Sequence, residues 1–204
     1  MTVIEKISTK LLDFVGSNMT IDSELAEIYK YGIEISISTA LNILLTMIIA
    51  FALGDPLCGI VFLGCMILIR SYCGGYHADS YFKCNCMMII LFSVAYGIGK
   101  TLFYFEIAEF HIMSSVLMLG FIPIYAFSPV KNKHKELSEK KAKKCRKISF
   151  VLYIAMSSIG LYLISLNSLY GSIIIVTLVE VSVAILIEIY RQRRIDNETQ
   201  GNGC

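Results

Sequence analysis

Tryptophan is absent from this chain, and charge is scarce: 17% of residues are charged and 56% are hydrophobic. A water-soluble domain carries about 25% charged and 45–50% apolar residues. The shortfall excludes an ordinary soluble fold, because too little polar surface is available to face water on every side. A bilayer takes the excess. Without Trp, interfacial anchoring falls to the 12 Tyr and 11 Phe. A net charge of +2 is too small to hold a nucleic-acid backbone, so no nucleic-acid partner is expected. A Walker A string is also missing, which argues against ATP-driven transport within these residues.

Two further absences shape the reading. Residues 1–18 lack the continuous apolar core of a secretory signal and carry Glu5, Lys6, Lys10 and Asp13 throughout. Instead Ile4, Ile7, Leu11, Phe14 and Val15 recur at helical spacing. They predict an amphipathic N-terminal helix that lies on the membrane surface or packs on the rest of the protein. Paired cysteines are missing too. Cys58, Cys65, Cys73, Cys84, Cys86, Cys145 and Cys204 are odd in number, and several sit in apolar runs, which argues against a disulfide framework. Cys58 and Cys65 read as small buried hydrophobes. Cys204, the last residue, does not stand where a prenylation box needs its cysteine.

What is present is a series of apolar stretches: 33–53, 57–69, 86–105, 112–127, 148–166 and 172–190. A spanning helix needs about 20 residues. Four stretches qualify or nearly do; 57–69 and 112–127 are short, and either span a thinned region or re-enter. Gly54-Asp55-Pro56 makes a tight turn between the first two. The prediction is therefore an all-α integral membrane protein of about six embedded helices, in one domain over residues 1–204. It comprises an N-terminal segment (1–30), a basic loop (131–147) and a basic tail (191–204). The loop holds nine of the 18 Lys and Arg residues. Arg70, Lys83, Arg191, Arg193 and Arg194 flank the same set of connections, whereas those near Asp55, Glu106 and Asn167 carry no Lys or Arg. The positive-inside rule then puts both termini and the basic connections in the cytoplasm. Lys100 and Glu180 interrupt apolar spans; both fall in the outer halves, so a Lys100–Glu180 pair is geometrically possible.

One short polar island carries chemistry: Arg70-Ser71-Tyr72-Cys73-Gly74-Gly75-Tyr76-His77-Ala78-Asp79-Ser80-Tyr81-Phe82-Lys83-Cys84. A thiol near an imidazole is the minimal kit for thiolate nucleophilic catalysis. The imidazole can pair with the thiolate and later give its proton to a leaving amine. Residues seven apart on one straight helix sit about 10 Å apart along its axis, so His77 and Cys84 require a bend. Gly74-Gly75 provides one, and Asp79 or Ser80 is suited to cap the helix that carries Cys84. The rival for the same residues is zinc held by Cys73, His77, Cys84 and Cys86. The usual Cys-x2-Cys pairs are absent, so no metal is expected.

The string Arg-x3-Gly-Gly-x-His-Ala-x5-Cys, set between apolar spans with a Lys-rich loop and a basic tail, resembles the accessory gene regulator protein B (AgrB) family. That resemblance extends over essentially the whole chain. It implies a membrane-embedded cysteine endopeptidase of bacterial quorum sensing, with no cofactor. Its substrate would be an AgrD-type propeptide with an amphipathic leader, a central signal sequence and an acidic tail. Cys84 would be the nucleophile and His77 the base, with Arg70, Gly74 and Gly75 supporting the site. Oxyanion donors are sought in backbone N–H groups near Gly74-Gly75 or Cys84. In the basic loop, Lys140, Lys141, Lys143 and Lys144 would hold the acidic tail or, more blandly, contact lipid headgroups. A homodimer in the cytoplasmic membrane is expected. The intramembrane charges also allow a small exporter, and the thiols a zinc-stabilised scaffold; neither needs a nucleophile at Cys84.

Overall fold

The structure, a computed structural model, describes residues 23–74, 80–130 and 138–201. The predicted amphipathic helix of the first residues lies outside them. Six helices and no strand occur among the described residues: α1 (Ser23–Ala52), α2 (Pro56–Cys73), α3 (Tyr81–Tyr104), α4 (Phe110–Phe127), α5 (Glu139–Ser165) and α6 (Leu169–Gly201). Each is long and apolar enough to cross a bilayer. The two short stretches lengthen in the structure, α2 and α4 both reaching 18 residues. Hydropathy alone trims them, because Arg70 and Ser71 end the apolar window of α2, and His111 that of α4, while the helices continue.

Local chemistry sets the ends. Gly54 turns with φ +79°, Asp55 caps α2 by accepting from the Cys58 N–H at 3.2 Å, and Pro56 follows. Proline suits the first helical position, where its missing N–H costs nothing. Ser80 caps α3 through the Lys83 N–H.

Helix α6 is the centre, with α2, α3, α4 and α5 all packed against it. Ile173, Ile175, Leu178 and Ile185 on it are fully buried. Lipid tails are as apolar as leucine, so helices in a membrane associate by close packing and hydrogen bonds rather than by hydrophobic exclusion. Both are visible here. Tyr153 on α5 donates to the Leu117 carbonyl of α4 at 2.8 Å, and Ser182 on α6 donates to the Gly120 carbonyl at 2.7 Å. Gly171 lets α6 meet α5 so closely that an added Cβ would lie 2.7 Å from both the Gly160 carbonyl oxygen and the Ile164 nitrogen.

Two sequence expectations are corrected. Residues 139–147 are not loop; they form the first turns of α5, and residues 191–201 continue α6. At about 1.5 Å per residue, both helices outrun the ~30 Å hydrocarbon core and project beyond it on the basic side. Lys100 and Glu180 do not pair. Glu180 lies roughly 16 Å along α6 from its start, whereas Lys100 is about 6 Å from the end of α3. Lys100 instead donates to the Tyr96 hydroxyl at 3.1 Å and sits 5.2 Å from its ring centroid, while neither Glu180 oxygen has a hydrogen-bond partner.

The close crossing of α5 and α6 is directly testable. Gly171→Ala is expected to destabilise the detergent-solubilised protein by about 1–3 kcal/mol, since backbone atoms cannot yield to the new methyl. Gly64→Ala, which meets open space, should stay within about 0.5 kcal/mol of the parent. Thermal unfolding followed by far-ultraviolet circular dichroism distinguishes the two.

Candidate active site

The sequence island falls at the break between α2 and α3, of which residues 75–79 lie outside the described residues. α2 stops at Cys73, and Gly74 leaves it with φ +72° and ψ −153°, a conformation open essentially to glycine alone. The position is also walled in: an added Cβ would sit 3.1 Å from the Val130 carbonyl oxygen and 3.2 Å from its nitrogen. The Val130 N–H in turn donates to the Cys73 carbonyl at 2.9 Å.

A short polar lattice holds Val130 there. Ser128 donates to Ser149 at 3.0 Å, Ser149 donates to the Cys145 carbonyl at 2.9 Å, and Arg146 Nε donates to the Ser128 carbonyl at 2.8 Å. The first turns of α5 are thereby tied to the last turn of α2. Lys140, Lys141, Lys143 and Lys144 stand exposed on those α5 turns. Their position opposes the helix dipole, which disfavours cations near an N-terminus by about 0.3–1 kcal/mol each. Only Glu139 offsets them in the first turn.

On the other side of the break, Cys84 falls in the first turns of α3 and is half-buried. Cys84 and Met88 are one turn apart on the same face, and Arg70 Nη1 reaches the Met88 sulfur at 3.7 Å. The structure thus brings Arg70 across to the face that carries Cys84. His77 and Gly75 lie outside the described residues. Of the backbone N–H groups expected near an oxyanion, that of Gly74 donates to the Arg70 carbonyl at 3.1 Å and that of Cys84 to the Ser80 carbonyl at 3.0 Å, while that of Gly75 lies outside the described residues. Helix hydrogen bonds claim the first two, because Gly74 closes α2 and Cys84 lies a full turn inside α3.

Cys73 is fully buried and Cys86 is two residues from Cys84, a spacing that points side chains to different sides of a helix. Among the described residues, no group of three or more His, Cys, Asp or Glu is placed to hold a metal ion.

One feature escaped the sequence reading. The buried residues of α1 among those described are Glu34, Ser38, Asn42, Thr46 and Ala50, a row four residues apart. Ile35, Ile43, Leu44, Ile48 and Phe51 point outward instead. The helix is inside out, with its polar face on the bundle and its apolar face to lipid. At the α3 end, Glu34 accepts from the Tyr81 hydroxyl at 2.8 Å, and Ser38 donates to Asn85 at 2.9 Å. Tyr81 and Asn85 bracket Cys84 in sequence. Further along, Asn42 Oδ1 and Thr46 Oγ1 are buried with no hydrogen-bond partner. A buried unsatisfied polar group costs about 1–3 kcal/mol. The signal was present as polar residues at helical spacing inside an apolar run, but hydropathy averaging erases it.

The Accessory gene regulator B family matches residues 8–187. An AgrB-like protein 2 of Clostridium perfringens strain 13 is 31% identical over 171 residues, covering 78% of this chain and 79% of the relative. An AgrB-like protein of Clostridium perfringens strain SM101 is 32% identical with the same coverage. One from Lactiplantibacillus plantarum is 25% identical and covers 86% of each chain. No solved structure matches the chain significantly.

Burial ranks the thiols. Brief iodoacetamide treatment of the folded protein in detergent should alkylate Cys84, Cys86 and Cys145, which are partly accessible. It should spare the buried Cys58, Cys65 and Cys73 until the protein is unfolded. Peptide mass spectrometry reads the order; early alkylation of Cys73 would contradict the packing of Val130 against the end of α2.

Proposed function

The chain belongs to the accessory gene regulator B family, a multi-pass membrane protein of that quorum-sensing system, and we propose that it is the cysteine endopeptidase that matures the signal. The reading rests on one observation above others: Cys84 is a half-buried thiol in the first turns of a spanning helix, on the helix face that Arg70 crosses to reach. A nucleophile there meets a peptide at the membrane surface. The family string supplies His77 seven residues before it.

The chemistry is acyl transfer. The Cys84 thiolate attacks the carbonyl carbon of the peptide bond that precedes the acidic tail. The carbon–nitrogen bond breaks, His77 delivers its proton to the departing amine, and a thioester joins substrate to enzyme. An internal thiolate of the substrate then attacks that thioester and releases a thiolactone, restoring the Cys84 thiolate. The thioester conserves the peptide bond's acyl activation, so ring closure needs no ATP. Arg70 orders the loop or binds a substrate carboxylate. The basic end of the bundle faces the cytoplasm by the positive-inside rule. The exposed lysines of α5 draw the acidic tail toward the site to which their helix is tied.

Cys84→Ala should abolish propeptide cleavage, and His77→Ala should lower kcat by about 10²–10⁴-fold, with membrane insertion retained in both. Cleavage by Cys84→Ala above a few per cent of wild type would reject the assignment; gel mobility of a synthetic propeptide is the assay.

The lysines have their own test. Reversing Lys140, Lys141, Lys143 and Lys144 to Glu should raise KM about tenfold or more at low salt while changing kcat less. Near 1 M salt, where the Debye length is about 3 Å, the difference should shrink. Orientation must be checked in the variant, because the same charges set topology. A correctly oriented variant with unchanged KM would leave these lysines a topogenic role only.

A further inference from the structure

The inside-out row on α1 has no place in the chemistry above. It is four polar side chains deep, and its inner members meet the residues on either side of the nucleophile. Its outer members, Asn42 at 9% exposure and Thr46 at 0%, each keep a buried oxygen without a hydrogen-bond partner. Thr46 shares with Ser157 and Ser172 a buried hydroxyl oxygen that has no partner, and it alone of the three lies on the α1 row. Ser36, Ser93, Thr101, Ser158 and Thr177 all donate to the carbonyl four residues back on their own helix. Thr46 does not. A hydroxyl in hydrocarbon that forgoes this bond is held for another partner.

The seam also lies at the edge of the bundle. α1 packs chiefly on α2 and α3, whereas α2 to α5 are all anchored on α6. A row of every fourth residue slants around a straight helix. Its inner end therefore faces α3 at Tyr81 and Asn85, and its outer end faces α2, where Ala50 lies against Gly59. The row runs from Glu34 to Thr46, roughly 18 Å at 1.5 Å per residue.

We propose that this seam is the subsite for the substrate segment that precedes the scissile bond, bound as an extended peptide along α1. The proposal rests on the peptidase reading above. Two matches of chemistry carry it. Successive members of the row rise about 6 Å, and backbone groups on one edge of an extended peptide repeat about every 6.6 Å. An extended segment within hydrocarbon must also satisfy its N–H and C=O groups from neighbouring protein, and beyond Glu34 and Ser38, which are bonded to α3, the row holds the unpartnered Asn42 Oδ1 and Thr46 Oγ1 in line. About five residues would occupy it, leading away from Cys84 into the membrane.

The test uses full-length protein carrying Cys84→Ala in lipid nanodiscs, so that no outcome depends on catalysis. The probe is a synthetic propeptide with an amphipathic leader, an internal Cys and an acidic tail. It carries diazirine-bearing residues at the second and fourth positions before the scissile bond. Photolysis should give crosslinks within residues 38–46 of α1. Adding Thr46→Val, and separately Asn42→Leu, should raise the probe's Kd at least fivefold without lowering the melting midpoint, because each removes an unpartnered polar atom. Asn42→Gln should retain binding. If Asn42→Leu fails to insert, the isosteric Thr46→Val and the crosslink map decide. Crosslinks absent from α1, or an unchanged Kd in Thr46→Val, overturn the proposal and leave the row a solvated seam. Failure of wild-type protein to cleave the same probe would overturn the peptidase reading instead, and leaves the crosslink result standing by itself.

Discussion

Close contact with α6 is the constraint on which the rest of this protein depends. In a bilayer there is no hydrophobic gain from joining helices, so the bundle is held where backbones approach and where hydroxyls reach carbonyls. α6 supplies both, through Gly171 against α5 and Ser182 against α4. Four helices pack on it, which leaves α1 on the periphery. A peripheral helix with one face on lipid must keep that face apolar. Most of the polarity it carries from Glu34 on is turned inward, with Ser36 and Thr39 exposed, and the row from Glu34 to Thr46 follows.

The same economy shapes the candidate active site. Its two halves sit at the ends of α2 and α3, elements rigidly seated in the bundle, while the segment between them begins at a glycine that the backbone of Val130 walls in. The Ser128–Ser149–Arg146 lattice carries that wall back to α5. The exposed lysines of α5 and the glycine that ends α2 are therefore parts of one connected structure, though they are distant in sequence. A helix that begins with exposed lysines works against its own dipole; tertiary anchoring is what sustains it.

Much was legible in the sequence. The Gly54-Asp55-Pro56 turn, the Ser80 cap, the interruption at Gly74 and the gathering of basic residues at alternate connections are local or one-dimensional signals. Backbone dihedrals, missing donors and charge counts encode them without reference to neighbours. The string from Arg70 to Cys84 pointed to the family in the same way. Less legible were the helix ends at 139 and 201, because charged residues end an apolar window without ending a helix.

What the amino-acid order pointed to by itself was an all-helical bundle of about six embedded helices and a candidate nucleophile. What only the tertiary structure decided was facing and depth. Lys100 and Glu180 share an outer half on paper, yet differ in depth and each turns to different surroundings. Arg70 reaches Met88 only because α2 and α3 lie side by side. The buried face of α1 inverts the rule that holds in water. Apolar residues mark the inside when the solvent is water, but when the solvent is lipid they mark both sides, and only packing says which polar groups are enclosed.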